Sequence, residues 1–462
     1  MKRLFLIVLS LIVIFVARAQ VSTEFTQTIN GVTLTYNIID QANRHVEVKA
    51  QQNANSLTPP ILTFPEAVYK PGETEPYTIT KIAQAIFDGR WLYSWPQASG
   101  NITLIFPSSL ETIGHMAFAH AFGVDVVDLS KCTKLKELVR LNFHRGTISK
   151  LYLPEGIERI GSWVFDHNLL KEIIIPSTIK ILEAGSFDSN QNLKVVDMRK
   201  VPVVPNQSTG GTIYGSYNSS PFPNAHPDLK IYVNTDLSAS YATATGWSNE
   251  IGKYVETIDM NASGYTTFYL ENENFKVPDG CTAYIITGVT PSGSLTTPDQ
   301  AIVKAFTAGK IIPKQTGFIL QGTPNTTIEY RAAVTGIEED VTGNLLVGTA
   351  TEREINGAGY KYYVLSNSGD QGLGFYKQGT RGGASIKLKA HRAGLRLTES
   401  IARAKSFFID FDAARENANV AGIRNIGQEA EGRDNVIYDL QGRRVKNPTH
   451  GIYIINGKKV IK

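Results

Sequence analysis

Only two of the 462 residues are cysteine, 149 positions apart, so no disulfide framework organises this chain. Methionine and tryptophan are nearly as scarce, with four of each. Charged residues make up 19% against 42% apolar, which excludes wholesale disorder and a coiled coil. Charge of one sign is lacking too. Setting aside Lys2, Arg3 and Arg18, which belong to an expected leader, leaves 43 basic against 42 acidic residues. Such a balance offers no electrostatic footprint for nucleic acid, which is excluded as a partner. Beyond residue 16 no apolar run approaches the roughly 20 residues that span a bilayer. What is abundant is glycine (40) and phenylalanine with tyrosine (20 each), the composition of a β-rich, turn-rich protein. The length points to several domains.

The first residues read as an export signal. Lys2 and Arg3 precede the apolar core Leu4 to Val16, and Ala17-Arg18-Ala19 forms an A-x-A site with cleavage expected between Ala19 and Gln20. No cysteine follows the core, so lipid anchoring at the N-terminus is not expected. The mature protein is expected to be soluble and outside the cytoplasm.

Internal repetition dominates the first half. From Pro107, an aliphatic residue follows after six positions (Ile113) and Phe118 after eleven. The same offsets from Pro154 find Ile160 and Phe165, and from Pro176 they find Leu182 and Phe187. A degenerate copy carries Ser130, Leu138 and Phe143. An early copy starts at Pro65 and reaches Ile82 and Phe87 late, after an eleven-residue insertion. The period is 22 to 24 residues.

Each anchor is preceded, at three and one positions before it, by an apolar pair. The pairs are Leu62/Phe64, Leu104/Phe106, Val127/Leu129, Leu151/Leu153, Ile173/Ile175 and Val196/Met198. Spacing of two puts both side chains on one face of a short strand, and stacked copies bury that face. The residue between them points away from the core. That column reads Thr63, Ile105, Asp128, Tyr152, Ile174 and Asp197. Large apolar members at positions the core does not need mark Ile105, Asp128, Tyr152, Ile174 and Asp197 as the candidate ligand surface. The competing expectation is that the neighbouring cap or an inserted loop, Lys70 to Thr80, covers them.

The strings "FPSSLETIGHMAF", "LPEGIERIGSWVF" and "IPSTIKILEAGSF" resemble the BspA-like class of bacterial leucine-rich repeats, over about residues 60 to 205. The resemblance implies a curved solenoid on a secreted or surface-exposed protein, often linked to adhesion. A β-hairpin around Val32 to Val48 (domain 20–60) suits an N-terminal cap, and the solenoid with its terminal coil is placed at 61–258. A Gly/Ser/Asn/Pro-rich loop, Gln207 to Pro227, leads to that coil, where Tyr…Trp packing is expected.

From 259 to 412 the period vanishes, and short apolar runs between turns read as a β-sandwich-like domain. The order of these runs resembles a β-domain common in Bacteroidetes surface proteins. A linker is placed at 413–434. Residues 435–462, "NVIYDLQGRRVKNPTHGIYIINGKKVIK", resemble the C-terminal sorting domain of the type IX (Por) secretion system. That resemblance implies passage through the outer-membrane secretion machinery and display on the cell surface.

Chemistry is harder to find. His120, His144 and His167 recur at nearly equivalent repeat positions, but the column is out of step, and stacked turns explain it better than zinc. Asp88, Asp166 and Asp188 follow a repeat phenylalanine directly and read as turn formers bonding nearby backbone amides. Asp410 and Asp412 read as the polar face of a strand. Cys132 reads as a small core filler, and Cys281, beside a glycine at a turn with no positioned histidine, does not read as a nucleophile. No nucleophile, metal or phosphate motif appears, so catalysis, metals and cofactors are not expected. The fold class is mainly β. The expected function is non-enzymatic binding of host or bacterial surface proteins in an adhesin-like manner. The alternative is glycan capture for nutrient uptake, suggested by Trp91, Trp95 and Trp247.

Overall fold

A computed structural model describes residues 23–52, 59–87, 101–207, 220–293, 297–369, 372–402, 406–416 and 418, with four short strands between 437 and 461. The leader, with Ala19 and Gln20, lies outside the described residues, as do Trp91, Trp95 and Asp88. Two compact units alternate along the chain. One comprises Met1–Lys171, Ile181–Asn192 and Phe222–Asn224; the other comprises Glu172–Lys180, Leu193–Pro221 and Ala225–Lys462. The protein is mainly β.

In the first unit, Val32–Asp40 and His45–Gln52 form the expected hairpin, burying Val32, Leu34, Tyr36, Val46 and Val48. An unexpected strand, Glu24–Ile29, pairs antiparallel with Val32–Asp40 through the Asn30-Gly31 turn. Both turn residues have positive φ (48° and 87°), the geometry that matches strand twist in a two-residue hairpin. Strand Tyr77–Ile82 then adds parallel to His45–Gln52, joining cap to repeats.

The repeat strands Ile61–Thr63, Ile102–Ile105, Val124–Asp128 and Lys150–Tyr152 form one parallel sheet. A narrower parallel ladder, Glu137–Leu138, Arg159–Ile160 and Ile181–Leu182, forms on the later half of each coil. The paired core positions are buried throughout, except that Leu153 is half-buried.

The repeat phenylalanines stack in one continuous column. Phe87, Phe118, Phe143, Phe165, Phe187 and Phe222 follow one another with ring centroids 4.9 to 5.5 Å apart and nearly parallel planes. Phe222 lies in the segment expected to be loop, yet it extends the column by one ring. The backbone fixes this spacing, because the N–H of Phe118, Phe143 and Phe165 each donates to the next coil at 2.8–2.9 Å.

Left-handed residues bracket the column on both sides. Met116, Leu141, Trp163 and Gly185 precede their phenylalanine by two, and His120, Arg145, His167 and Ser189 follow by two, all with φ between 50° and 67°. Most are not glycine, so the stack imposes a conformation that local preference disfavours. Gly185 is different, since a Cβ there would meet the Trp163 ring at 2.8 Å.

Three positions after Phe165 and Phe187 come Asn168 and Asn190, both buried. Each amide donates to the preceding coil's phenylalanine carbonyl (2.9 and 2.8 Å), and each side-chain oxygen accepts the N–H of Ile148 or Leu170. They satisfy backbone groups that the turn would otherwise leave buried and unpaired.

In the second unit, Glu172–Ile174, Val195–Met198, Lys230–Val233 and Tyr254–Asp259 pair in parallel. Tyr254–Asp259 also pairs antiparallel with Thr327–Tyr330, so the boundary placed between 258 and 259 falls inside a strand. The terminal coil holds a short helix, Ser238–Thr243, and a 3₁₀ turn, Trp247–Glu250. Tyr241 and Trp247 pack edge to face at 5.0 Å, as the sequence suggested.

The β-domain is built on a nine-stranded sheet. Along Thr282–Thr290, Tyr284 and Ile286 enter one core while Ala283 and Ile285 enter another. Alternation puts these cores on opposite faces, which explains why the run "AYII" shows no polar alternation. Residues 411–416 are helical, and Ala414 packs into the core with Phe411, so the folded domain continues beyond the expected linker start at 413. The tail strands Ile437–Tyr438, Arg444–Val445, Ile452–Ile455 and Lys458–Ile461 form a small antiparallel sheet.

Candidate functional site

The outward column of the repeat strands is in register. In the first unit Thr63, Ile105, Asp128 and Tyr152 are successive cross-strand partners, and in the second Ile174, Asp197 and Tyr232 are. Tyr152 is 51% exposed and Ile174 65%, whereas Ile105, Asp128 and Asp197 are half-buried. Insertion Lys70 to Thr80 is engaged elsewhere. Its Glu73 pairs with Arg44 of the cap at 2.9 Å and accepts the Tyr77 hydroxyl at 3.0 Å, and Tyr77 is buried against Phe25.

In the second unit this face forms a groove of about 420 Å³, lined by Ile174, Asp197, Arg199, Tyr232, Thr257 and Glu329 among others. Sequence reasoning stopped the column at Asp197 and missed Tyr232, although register continues it. Arg199 and Glu329 give no periodic signal, because one follows the strand and the other lies on a strand of the β-domain.

Charge is organised in pairs here. The Asp197 carboxylate accepts Arg199 Nε at 3.0 Å, Nη2 at 2.6 Å and its backbone N–H at 3.1 Å. Burial pushes its pKa up, but the Arg199 hydrogen bonds outweigh this and hold it below the usual carboxylate range. Arg199 in turn lies over the Tyr232 ring, 5.6 Å from its centroid. Glu329 accepts Lys230 Nζ at 2.6 Å and the Tyr232 hydroxyl at 2.5 Å, and both hold its pKa low. The result is a rigid polar frame around the exposed Ile174, suited to a partner bringing an apolar side chain and hydrogen-bonding groups. Asp128 is committed locally, since its Oδ1 accepts the N–H (2.9 Å) and hydroxyl (2.6 Å) of Ser130.

The histidine column resolves differently from its sequence appearance. His120 and His167 occupy the left-handed position after the phenylalanine, but Arg145 takes that position in the middle coil and shifts His144 by one. Asp166, expected to bond nearby backbone amides, instead sends its carboxylate to His144 Nδ1 and to His167 Nδ1, the latter at 3.0 Å. Asp188 likewise binds side chains, accepting from Ser189 and Asn224. Asp166 is buried and Asp188 half-buried, and each is bonded both by the residue that follows it and by a side chain from elsewhere in the chain. Among the described residues no group of three or more His, Cys, Asp or Glu could hold a metal.

Asp410 and Asp412 do not alternate along a strand. The strand ends at Ile409, and Asp410 Oδ1 accepts the Ala413 N–H at 2.9 Å, capping the helical turn, while Asp412 pairs with Arg415. Cys132 and Cys281 are buried, and burial raises both thiols, Cys132 to about 12. Trp247 is buried, with Nε1 donating to the Pro205 carbonyl at 2.8 Å, so it serves the terminal coil's core and offers no face to a glycan.

No curated protein matches the chain. Among solved structures, a leucine-rich-repeat protein of T. pallidum (TpLRR) is 17% identical, covering 43% of this chain and 82% of that one, with a TM-score of 0.30. One from Bacteroides ovatus is 18% identical over 46% and 56% of the two chains, with a TM-score of 0.31. A leucine-rich cell surface protein from Faecalibacterium prausnitzii is 16% identical over 37% and 54%, with a TM-score of 0.23. The chain thus spans about half the length of the latter two. Residues 93–206 match the BspA type leucine rich repeat region in six copies, the stretch that carries four of the six stacked phenylalanines and most of the outward strand positions.

Proposed function

We propose that this protein is a non-enzymatic, surface-displayed binding module that recognises other proteins through the outward face of its repeat strands. The observation that carries this reading is the exposure of Tyr152 and Ile174, large apolar side chains held at register positions the core does not use. Solenoids present such faces as extended binding surfaces. Ile105 and Asp128 belong to the outward column of the first unit and Asp197 to that of the second, where the ion pairs beside Ile174 supply orientation. Host or bacterial surface proteins are the partners. Glycan capture keeps less support at this face, since Trp247 is buried.

The Tyr152→Asp/Ile174→Asp double variant tests the surface. Binding to a panel of host matrix and bacterial surface proteins should fall at least tenfold, as for interface anchors worth more than ~1.4 kcal/mol each. Thermal melting should move little, because both side chains are already exposed. Unchanged binding, or exclusive binding to a glycan array by the parent protein, would overturn the reading.

Export completes the proposal: cleavage after Ala19, then delivery to the cell surface guided by residues 435–462. Deleting Asn435 to Lys462 should leave folded protein in the periplasm. Surface labelling of intact cells reads this directly, and undiminished labelling would show that the tail is structural only.

A further inference from the structure

The β-domain carries a second groove, of about 360 Å³, unrelated to the repeat strands. It lies at the small end of ligand pockets, which run from about 300 to 1,000 Å³. Its lining includes Lys387, Lys389 and Arg392 and, among the described residues, no carboxylate. The rest of the lining includes the neutral polar Asn261, Ser366 and Asn367, with Tyr265.

The cations differ in how far the protein satisfies them. Lys387 pairs with Glu352 at 2.6 Å. Lys389 has no ion pair among the described residues. Arg392 is half-buried, and its guanidinium makes one hydrogen bond among them, from Nη1 to the Thr267 carbonyl at 3.2 Å. Asp259, whose charge acts on Arg392, accepts the Thr327 hydroxyl instead. Burial lowers the Arg392 pKa, with Asp259 only partly offsetting it. A guanidinium withdrawn from water with most of its five donors unmatched is unfavourable unless an anion fills the place. Planar bidentate donors of this kind suit a carboxylate or sulfate.

The neutral groups of the lining are of another kind, the exposed amides of Asn261 and Asn367. The Asn261 side-chain oxygen is taken by Ser263, but its amide nitrogen has no partner among the described residues, nor does the Asn367 side chain. These amides suit hydroxyl groups.

We propose that this groove binds a small acidic sugar, with the carboxylate or sulfate on Arg392 and Lys389 and the hydroxyls facing Asn261 and Asn367. The site is separate from the protein-binding face and stands whether or not that face proves functional.

Calorimetric titration of the full chain with a uronate-containing disaccharide, its sulfated counterpart and its neutral counterpart tests the proposal. Saturable binding of an acidic disaccharide is expected, at least tenfold tighter than the neutral one, and which acid binds better identifies the anion. Arg392→Gln should weaken it by about tenfold or more, the effect of losing a charge-assisted hydrogen bond. Lys389→Gln, at an exposed position that folding does not need, should weaken it about threefold. No saturable binding of either acidic sugar would overturn the assignment, as would equal binding of the neutral sugar or full affinity in the Lys389→Gln variant. Inorganic sulfate binding as tightly as the disaccharides would show that the amide wall recognises nothing and overturn the sugar.

Discussion

Replacing Phe165 by alanine is expected to lower the unfolding free energy by about 3–5 kcal/mol, the range for buried aromatics removed from cores. The ring is fully buried and lies 5.3 Å from Phe143 on one side and 5.3 Å from Phe187 on the other. Its removal forfeits two stacking contacts, each worth about 0.5–1.5 kcal/mol beyond burial. The cavity cannot close by collapse, because backbone hydrogen bonds between successive coils set the ring spacing. Repeat proteins are stabilised by nearest-neighbour terms, so an interior ring counts twice and an end ring once. Tyr152→Ala, which removes a 51% exposed ring outside the column, should cost far less than Phe165→Ala. Urea titration of both variants checks the order. Equal losses, or a loss below about 1 kcal/mol at Phe165, would mean the column is not a continuous core.

That column was legible in the sequence, because a rule of two offsets from one anchor finds Phe118, Phe165 and Phe187 without any structure. The outward register could be read the same way, since alternation along a strand needs only the core positions to be known. Tyr232 was overlooked because the repeat loses its anchor proline there, though the strand itself persists. Asn168 and Asn190 escaped for another reason. A pattern of apolar residues cannot reveal a polar one that is buried to serve carbonyl groups. Phe222 escaped because the residues around it are those of a loop.

The β-domain resists sequence reading more deeply. Strand Asp299–Thr307 pairs with Ser406–Ile409, about a hundred positions away, and no local pattern encodes that neighbour. Strands covered on both faces lose the alternation that would show which way each side chain points. Arg392 illustrates the consequence: in "SIKLKAHRAG" it looks like one more outward base. Only the pairing of Arg392–Thr398 with Tyr360–Gly369 and Leu346–Thr349 brings it half inside. Buried acids are equally invisible, and three of them gather beside the helix of the terminal coil.

Those acids set a pH dependence of stability. Asp236, Glu256 and Glu273 are all buried beside the helix Ser238–Thr243. Glu256 accepts the N–H groups of Asp236 (2.9 Å) and Ser238 (3.1 Å), and the Ser238 (2.8 Å) and Tyr330 hydroxyls. Asp236 accepts the N–H groups of Glu271 and Asn272, both at 3.0 Å. Glu273 accepts the Ala239 N–H through one oxygen, and its other oxygen is buried with no hydrogen-bond partner among the described residues. Burial, then repulsion from Glu256, pushes its pKa up to about 10. A group whose pKa is raised on folding stabilises fully below its unfolded value, near 4.5, and that contribution is lost as pH rises toward the folded value. At 1.36 kcal/mol per pH unit, wild-type protein gives up about 3 kcal/mol through Glu273 between pH 4.5 and 7. Glu273→Gln keeps the neutral shape and does not titrate. Its stability relative to wild type should rise steadily with pH, from no advantage at pH 4.5 to several kcal/mol at pH 9. Melting curves of the two proteins at pH 4.5, 7 and 9 measure this difference. A difference that stays flat across that range would mean Glu273 ionises in the folded state as it does in the unfolded chain, and that its burial places no pH-dependent load on the fold.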